Sequence, residues 1–555
     1  MKKLIILTGI LLLTFSSCQD YLEEENPGNI VASEFYSTAS GYESLVNSVY
    51  GSLRTVYTGD GDRAYMFCAG TDMYVEGRND QPEGLSEYRN LIASDGIVQN
   101  FYSDLYSAIQ SCNTAIYYND KTEDATTLEA RLGEVKFLRG FYYFLMVQTY
   151  GGVSIVDEFI EEAVTEFNRN TAAEVYDFIL QDMTEALDLV PESSTEFGRV
   201  DKRVIRHFLS KVYLTRGYET FGESSDFSNA ASFAEAAIEG QGLNLSFDEL
   251  FWPGNEENEE ILFSIQFDEA SIEDATDDGN TQNYYFGPYL GGEGALYGYP
   301  YRSYTLCPTM YLFDAFTEND ARFEGTFMVE YFERYYDYYD KNDELAELNV
   351  QYYYAPEWAL SDTTAWRAAN PATRTDAVIV PYSIEWQASN QTTFDGGTPI
   401  VKKFDDPTAS FSGSGSSNRD FFLARLGETY LIAAEAYLQL GQADKAAEMI
   451  NVVRTRAAVE GEEAAMQISG ADVDLDFILD ERARELVGEY HRWFDLKRTG
   501  KLVERTELYN RDVKVYFTQG VNPFQGTDGE LKTLRPIPQS ALDLNEAEYA
   551  QNPGY

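Results

Sequence analysis

The chain has 555 residues, 44% hydrophobic and 24% charged, which is ample for a large core. Its 93 acidic and 41 basic residues leave a net charge of −52. That excludes duplex nucleic acid as a partner, because binding it needs clustered Lys and Arg on the phosphates, and it favours a neutral ligand over an anionic one. Four scattered cysteines and two histidines exclude a zinc ribbon or a dense disulfide framework.

Met1-Lys2-Lys3, the apolar run Leu4–Leu13 and the small residues Ser16-Ser17 have the layout of a secretory signal over residues 1–17. The apolar run is too short to span a bilayer, which takes about 20 residues. Cys18 follows directly. The arrangement resembles the lipobox of bacterial lipoproteins, with Phe15 where such boxes usually carry Leu. The acidic run Glu23-Glu24-Glu25 resembles the surface-export signal of Bacteroidota lipoproteins. These resemblances imply a triacylated Cys18 as the mature N-terminus, and two acyl chains already give stable anchoring. Residues 18–35 read as a lipidated tether, since Asn26-Pro27-Gly28 cannot continue a helix.

Helical periodicity then runs over 34–57, 97–119, 128–150, 171–190 and 202–218, interrupted by a loop-rich stretch at 58–90. From about 240 to 417 Gly, Pro, Asn and Tyr dominate, with short β-like runs at Ile261–Phe267 and Val378–Val380 and a Gly/Ser linker at Ser412–Ser417. Helices return at 419–440, 443–457 and 473–498. The reading is an N-terminal helical-repeat part (36–240), a variable loop-rich insertion (241–418) and a C-terminal helical-repeat part with a tail (419–555). Ala434, Tyr437, Gly441, Ala446, Ile450 and Val453 match the tetratricopeptide repeat: small residues let helices approach, an aromatic fills the groove, and Gly breaks the first helix. Tyr213, Gly217, Phe233, Ala234 and Ala237 echo it.

Longer motifs carry a resemblance to a known family. Arg425-Leu-Gly-Glu-Thr-Tyr-Leu-Ile-Ala-Ala-Glu-Ala-Tyr437, Ile450–Ala457, Asp480–Leu486, His491–Arg498, Leu534–Ser540 and Gln551–Tyr555 resemble signatures of the SusD/RagB outer-membrane lipoproteins. Phe137–Phe141, Tyr150–Val153 and Arg322–Phe327 are similar to its earlier ones, in the same order. The resemblance implies a mostly α fold, a right-handed superhelix of tetratricopeptide-like pairs with an irregular insertion carrying short strands. It also implies a surface glycan-binding protein that sits as a lid on a SusC-like TonB-dependent transporter and performs no hydrolysis. Peptide or glycoprotein capture by the same fold is the alternative, and a glycoside hydrolase a remote one.

The residues themselves agree. His491 has no identifiable nucleophile to serve, so it reads as structural. Arg482, Arg484, Glu485, Glu489 and Arg492 read as ion pairs at i, i+3 and i+4. With 93 acids, no carboxylate pair stands out as a hydrolase site. Gly291–Gly298 fails the dinucleotide spacing at Tyr297. No cofactor is implied, although Asp274, Asp277, Asp278 and Asn280 offer oxygen ligands for a structural calcium outside any EF-hand spacing.

Two loops combine the aromatics, amides and charges that suit a glycan. In the first, Tyr74 is expected to stack on a pyranose while Asp72, Arg78, Asn79 and Asp80 hold hydroxyls. In the second, Tyr289, Tyr297, Tyr299 and Tyr301 supply rings, the last three on one face if the chain is extended. Trp252, Trp358 and Trp366 are secondary candidates.

Overall fold

The computed structural model describes residues 32–59, 62–78, 80–123, 126–268, 279–287, 289–290, 293, 296–297, 302–387, 397–409 and 417–555. Among the described residues ten helices build the frame: α1 (Ala39–Thr58), α2 (Gly96–Asn119), α3 (Leu128–Tyr150), α4 (Ala172–Leu189), α5 (Lys202–Gly217), α6 (Asp226–Ile238), α7 (Leu426–Gln439), α8 (Ala443–Arg456), α9 (Leu475–Glu485) and α10 (Arg492–Arg498). Side-chain caps set the starts of α1, α2, α4, α5 and α9. Asp95 accepts the Ile97 and Val98 N–H groups at the head of α2, and Thr171 and Glu174 form a reciprocal capping box on α4.

Each helix packs on the next from α1 through α6, and α6 then packs directly on α7. The chain between them loops out and returns without breaking the stack. The repeat motif explains this contact. Ala434, Ala446, Ile450 and Val453 are fully buried, and Gly441 takes φ +71°, a left-handed value that Gly adopts freely. In the earlier repeat Tyr213 stacks on Phe233 with centroids 5.7 Å apart. Gly217 is required there, because a Cβ would sit 2.7 Å from the Phe227 ring.

Among the described residues nine short strands lie outside the helical stack: β1 (Tyr74–Glu76), β2 (Ile261–Ile265), β3 (Leu306–Pro308), β4 (Phe327–Met328), β5 (Glu330–Phe332), β6 (Val350–Ala355), β7 (Val378–Pro381), β8 (Ile400–Val401) and β9 (Phe421–Arg425). They form the antiparallel pairs β1–β3, β2–β9 and β4–β8, and a three-stranded sheet in the order β5–β6–β7 with β6 and β7 parallel. The β2–β9 pair fastens both ends of the insertion to the frame.

The helices differ from the periodicity in three places. Residues 421–425 are strand, because β2 pairs with them before α7 begins. The 473–498 segment is two helices, broken where Gly488 and Tyr490 take φ +73° and +64°. The 58–90 stretch contains helices at Arg63–Cys68 and Glu83–Glu87 as well as β1.

The Arg/Glu set of α9 and α10 is buried, and it pairs mostly across the fold. At i,i+3 spacing Arg484 pairs with Glu481 in α9 and Arg498 with Asp495 in α10. Arg482 reaches Asp495 at 2.7 Å and Glu428 at 3.1 Å. Glu485 accepts Arg322 at 2.9 Å, Arg425 at 2.6 Å, and also Arg456. Glu489 takes Arg425 and Lys403. Burial alone would raise the Glu485 carboxyl, but the three guanidiniums hold it well below the usual range. Arg322 and Lys403 belong to the insertion, so buried charge pins that part to the C-terminal helices.

Candidate glycan-binding surface

The first candidate loop is set by β1, which pairs with β3 in the register Tyr74↔Pro308 and Glu76↔Leu306. Pairing continues past β1 at Gly77, where a Cβ would lie 2.0 Å from the Tyr304 carbonyl oxygen. Arg78 N–H then donates to that carbonyl at 3.2 Å. This geometry splits the loop into an inner and an outer half.

Asp72 and Tyr74 belong to the inner half, which corrects the expectation that they face a ligand. Asp72 is fully buried and receives Arg492 at 2.7 and 2.6 Å and Arg505 at 2.8 Å. Burial pushes its carboxyl up, yet Arg492 and then Arg505 outweigh this and hold it below the ordinary value. Tyr74 is 1% exposed. Its ring lies against Phe286 at 5.4 Å, and its hydroxyl accepts the Gly488 N–H at 2.7 Å. Neither face of that ring is open to a sugar.

Arg78 and Asp80 belong to the outer half. The Arg78 guanidinium lies over the Tyr289 ring, 3.5 Å from its centroid. Asp80 is exposed beside Glu76. Burial, then the like charges of Asp80 and Asp512, push the Glu76 carboxyl up to about 7, although a Gln81 N–H bond opposes the shift. From the second loop, Tyr297 is 47% exposed and carries the Arg334 guanidinium 4.6 Å from its centroid. Tyr285 and Phe286 pack into the core, and Tyr304 hydrogen-bonds the Pro399 carbonyl. The two loops thus each present a Tyr ring paired with a guanidinium, and Asp80 adds a carboxylate to the first. Cys18, Asn79, Tyr299, Tyr301 and the acidic run Asp274, Asp277 and Asp278 lie outside the described residues. Asn280 is engaged with Gln282 and the Arg419 carbonyl.

Sequence reasoning missed Arg334. The signal was the run 331–340, where aromatics alternate in clusters with charges. Of the tryptophans, Trp366 stacks flat on Tyr353 at 4.1 Å and 5°, and Trp358 packs on Phe323 at 5.0 Å. Trp252 stands at the rim of a separate cavity.

Both histidines of the chain converge on one carboxylate. His207 Nε2 is 3.3 Å and His491 Nε2 3.7 Å from Glu428 Oε2. His207 Nδ1 meets Thr429 Oγ1 at 2.8 Å. Carboxylate, imidazole and hydroxyl thus line up as a nucleophilic triad would, but Glu428, His207 and Thr429 are all fully buried. No substrate reaches them. Lys211, 2.8 Å from Glu428, and Arg482, 3.1 Å from it, supply the positive charge. Burial lowers His207 and pushes His491 down to about 3, so both imidazoles are neutral at pH 7.

Comparison with known proteins places this geometry. Residues 259–555 match the family model described as "SusD family", and residues 20–214 match one described as "Starch-binding associating with outer membrane". The chain is 26% identical to SusD-like protein P2 of Formosa agariphila over the full length of both. It is 25% identical to a SusD-like protein of Bacteroides ovatus over 48% of this chain and 50% of that one. Among solved structures it superposes on a laminarin binding SusD-like protein with a TM-score of 0.67 at 22% identity, covering 94% and 100% of the two chains. It also superposes on surface glycan-binding protein A of Bacteroides thetaiotaomicron, solved with laminarihexaose, with a TM-score of 0.65 at 20% identity, covering 93% and 100%.

Proposed function

Because this chain belongs to the SusD family, we propose that it is a non-catalytic glycan-binding lipoprotein of the outer membrane. It is anchored through Cys18, faces the cell exterior, and captures a neutral poly- or oligosaccharide for a partner SusC-like TonB-dependent transporter. The observation that carries the reading is the pair of tyrosines, partly buried Tyr289 under Arg78 and exposed Tyr297 under Arg334, in a fold whose neighbours include a laminarin binding protein and a surface glycan-binding protein solved with laminarihexaose. A flat ring takes the C–H face of a pyranose, while guanidinium and carboxylate edges take its hydroxyls. The outer-membrane assignment is supported by the wording of the N-terminal family match. The sealed histidine cluster supports a binding role over an enzymatic one.

The test is affinity electrophoresis of the purified protein through a panel of polysaccharides, with calorimetry on whichever retards it. Tyr297→Ala and Tyr289→Ala are expected to weaken binding several-fold. Their melting temperatures should barely move, because surface substitutions usually shift stability by only about 0.5 kcal/mol. Wild-type affinity in both variants would place the site elsewhere. Reducing-sugar release by the wild type would restore the hydrolase alternative.

A further inference from the structure

A second cavity, of about 340 Å³, opens beside the short helix Asp337–Asp340. Trp252, largely buried, forms one wall, with Tyr339 5.3 Å and Tyr338 5.9 Å away at steep angles. Pro253 and Pro407 give it stiff edges. Gly254, in the left-handed region at φ +87°, has open space where a Cβ would be, so the mouth is unobstructed.

Most charge around this cavity is spent on holding its walls. Arg419 donates to Glu256 at 2.6 Å, to the Asp405 carbonyl at 2.8 Å and to the Phe251 carbonyl at 2.7 Å, tying three chain segments together. Asp406 accepts from Thr408, Ala409, Ser417 and Asn418, which fixes the opposite side. What remains to face a ligand is small and specific. The Asp340 carboxylate is 49% exposed, with Arg334 3.5 Å away. The Asn418 amide and the Trp252 indole N–H meet no partner among the described residues.

We propose that this cavity is a second carbohydrate subsite that takes one or two units of a neutral sugar. An aromatic wall with one carboxylate and one amide is the donor and acceptor set that grips vicinal hydroxyls. The volume lies at the small end of the roughly 300–1,000 Å³ typical of small-molecule sites. The lining carries three carboxylates, Glu256, Asp340 and Asp406, against the one guanidinium of Arg419, and this acidic excess disfavours an anionic sugar. Arg334 joins this subsite to the Tyr297 ring, since it lies over that ring and also against Asp340. One glycan chain can thus engage both, and the second contact is then intramolecular, so long chains gain more than short ones. The proposal rests on the glycan-binding reading above.

The experiment uses saturation-transfer NMR with the methyl glycosides of glucose, galactose, mannose and xylose, beside the polysaccharide electrophoresis. Trp252→Ala, Asp340→Asn and Asn418→Ala are compared with wild type and with Tyr297→Ala. At least one glycoside is expected to give a signal that falls threefold or more in Trp252→Ala and in one of the two polar variants, and that persists in Tyr297→Ala. Polysaccharide retention should fall several-fold in Trp252→Ala. If that variant melts early, the two polar variants decide the matter. Absence of any glycoside signal in wild type, or signals unchanged in the variants, overturns the subsite while retention dependent on Tyr297 leaves the broader reading standing. A Trp252-dependent glycoside signal without retention in any polysaccharide upholds the subsite and overturns the broader reading.

Discussion

Replacing Tyr74 separates a folding residue from a binding one. Its ring is enclosed, and its hydroxyl is the acceptor for the Gly488 N–H in the break between α9 and α10. That break cannot easily shift to find another acceptor: a Cβ on Gly488 would already lie 2.2 Å from the Phe404 ring. Tyr74→Phe keeps the ring and strands a buried donor, at a cost of about 1–3 kcal/mol. Tyr74→Ala also opens a cavity against Phe286, and buried aromatic truncations of this kind cost about 3–5 kcal/mol. Urea unfolding followed by tryptophan fluorescence measures both, with midpoints falling in the order wild type, Phe, Ala and a similar slope throughout. Glycan affinity, measured where all three are folded, should not change. An alanine variant with wild-type stability and lost glycan binding would refute the buried assignment and return Tyr74 to the ligand surface.

Glu485→Gln should destabilise the protein by roughly 3–5 kcal/mol in urea, because Arg322, Arg425 and Arg456 lose a shared buried counter-charge. Acid should weaken the fold through the histidines. Their folded values are depressed, so the unfolded chain takes up protons first; their contribution is complete above the ordinary pH of about 6.5 and is lost as pH falls toward about 3 for His491. For His491 alone, linkage gives roughly 2 kcal/mol lost by pH 5, so urea midpoints should be level from pH 7.5 to 6.5 and lower at pH 5, and a flat profile counts against neutral buried imidazoles. Cys18→Ala should release the protein from the membrane fraction of cells lacking the partner transporter, since the proposed acyl chains are the only anchor invoked; full retention counts against lipidation.

The repeat helices were legible because their pattern is local. Ala434, Tyr437, Ala446 and Ile450 point to one core at a period any helix imposes, and Gly441 marks where it must stop. The resemblance of the C-terminal motifs added the family. The candidate loops were legible only as composition. A three-residue strand covered on both sides has no alternation to read, so Tyr74 looked like a surface aromatic. Asp72 looked like a sugar-binding acid because the arginines that claim it stand 420 and 433 residues away. The same distance effect hid Arg334, whose partner Tyr297 is named by no spacing rule. The ion pairs of α9 show the converse: charges at helical intervals suggested partners on the same helix, whereas tertiary packing gives most of them partners across the fold.

The direct packing of α6 on α7 has a consequence for descent as well as for folding. The stack closes on itself whether the excursion between those helices is long or short. The excursion is held by a few fixed rivets: β2 on β9, Arg322 on Glu481 and Glu485, and Lys403 on Glu489. Sequence at the rivets answers to the frame, whereas sequence outside them does not carry it. On the proposed function, the segments around Tyr297 and Trp252 can therefore change with the ligand while the scaffold stays intact.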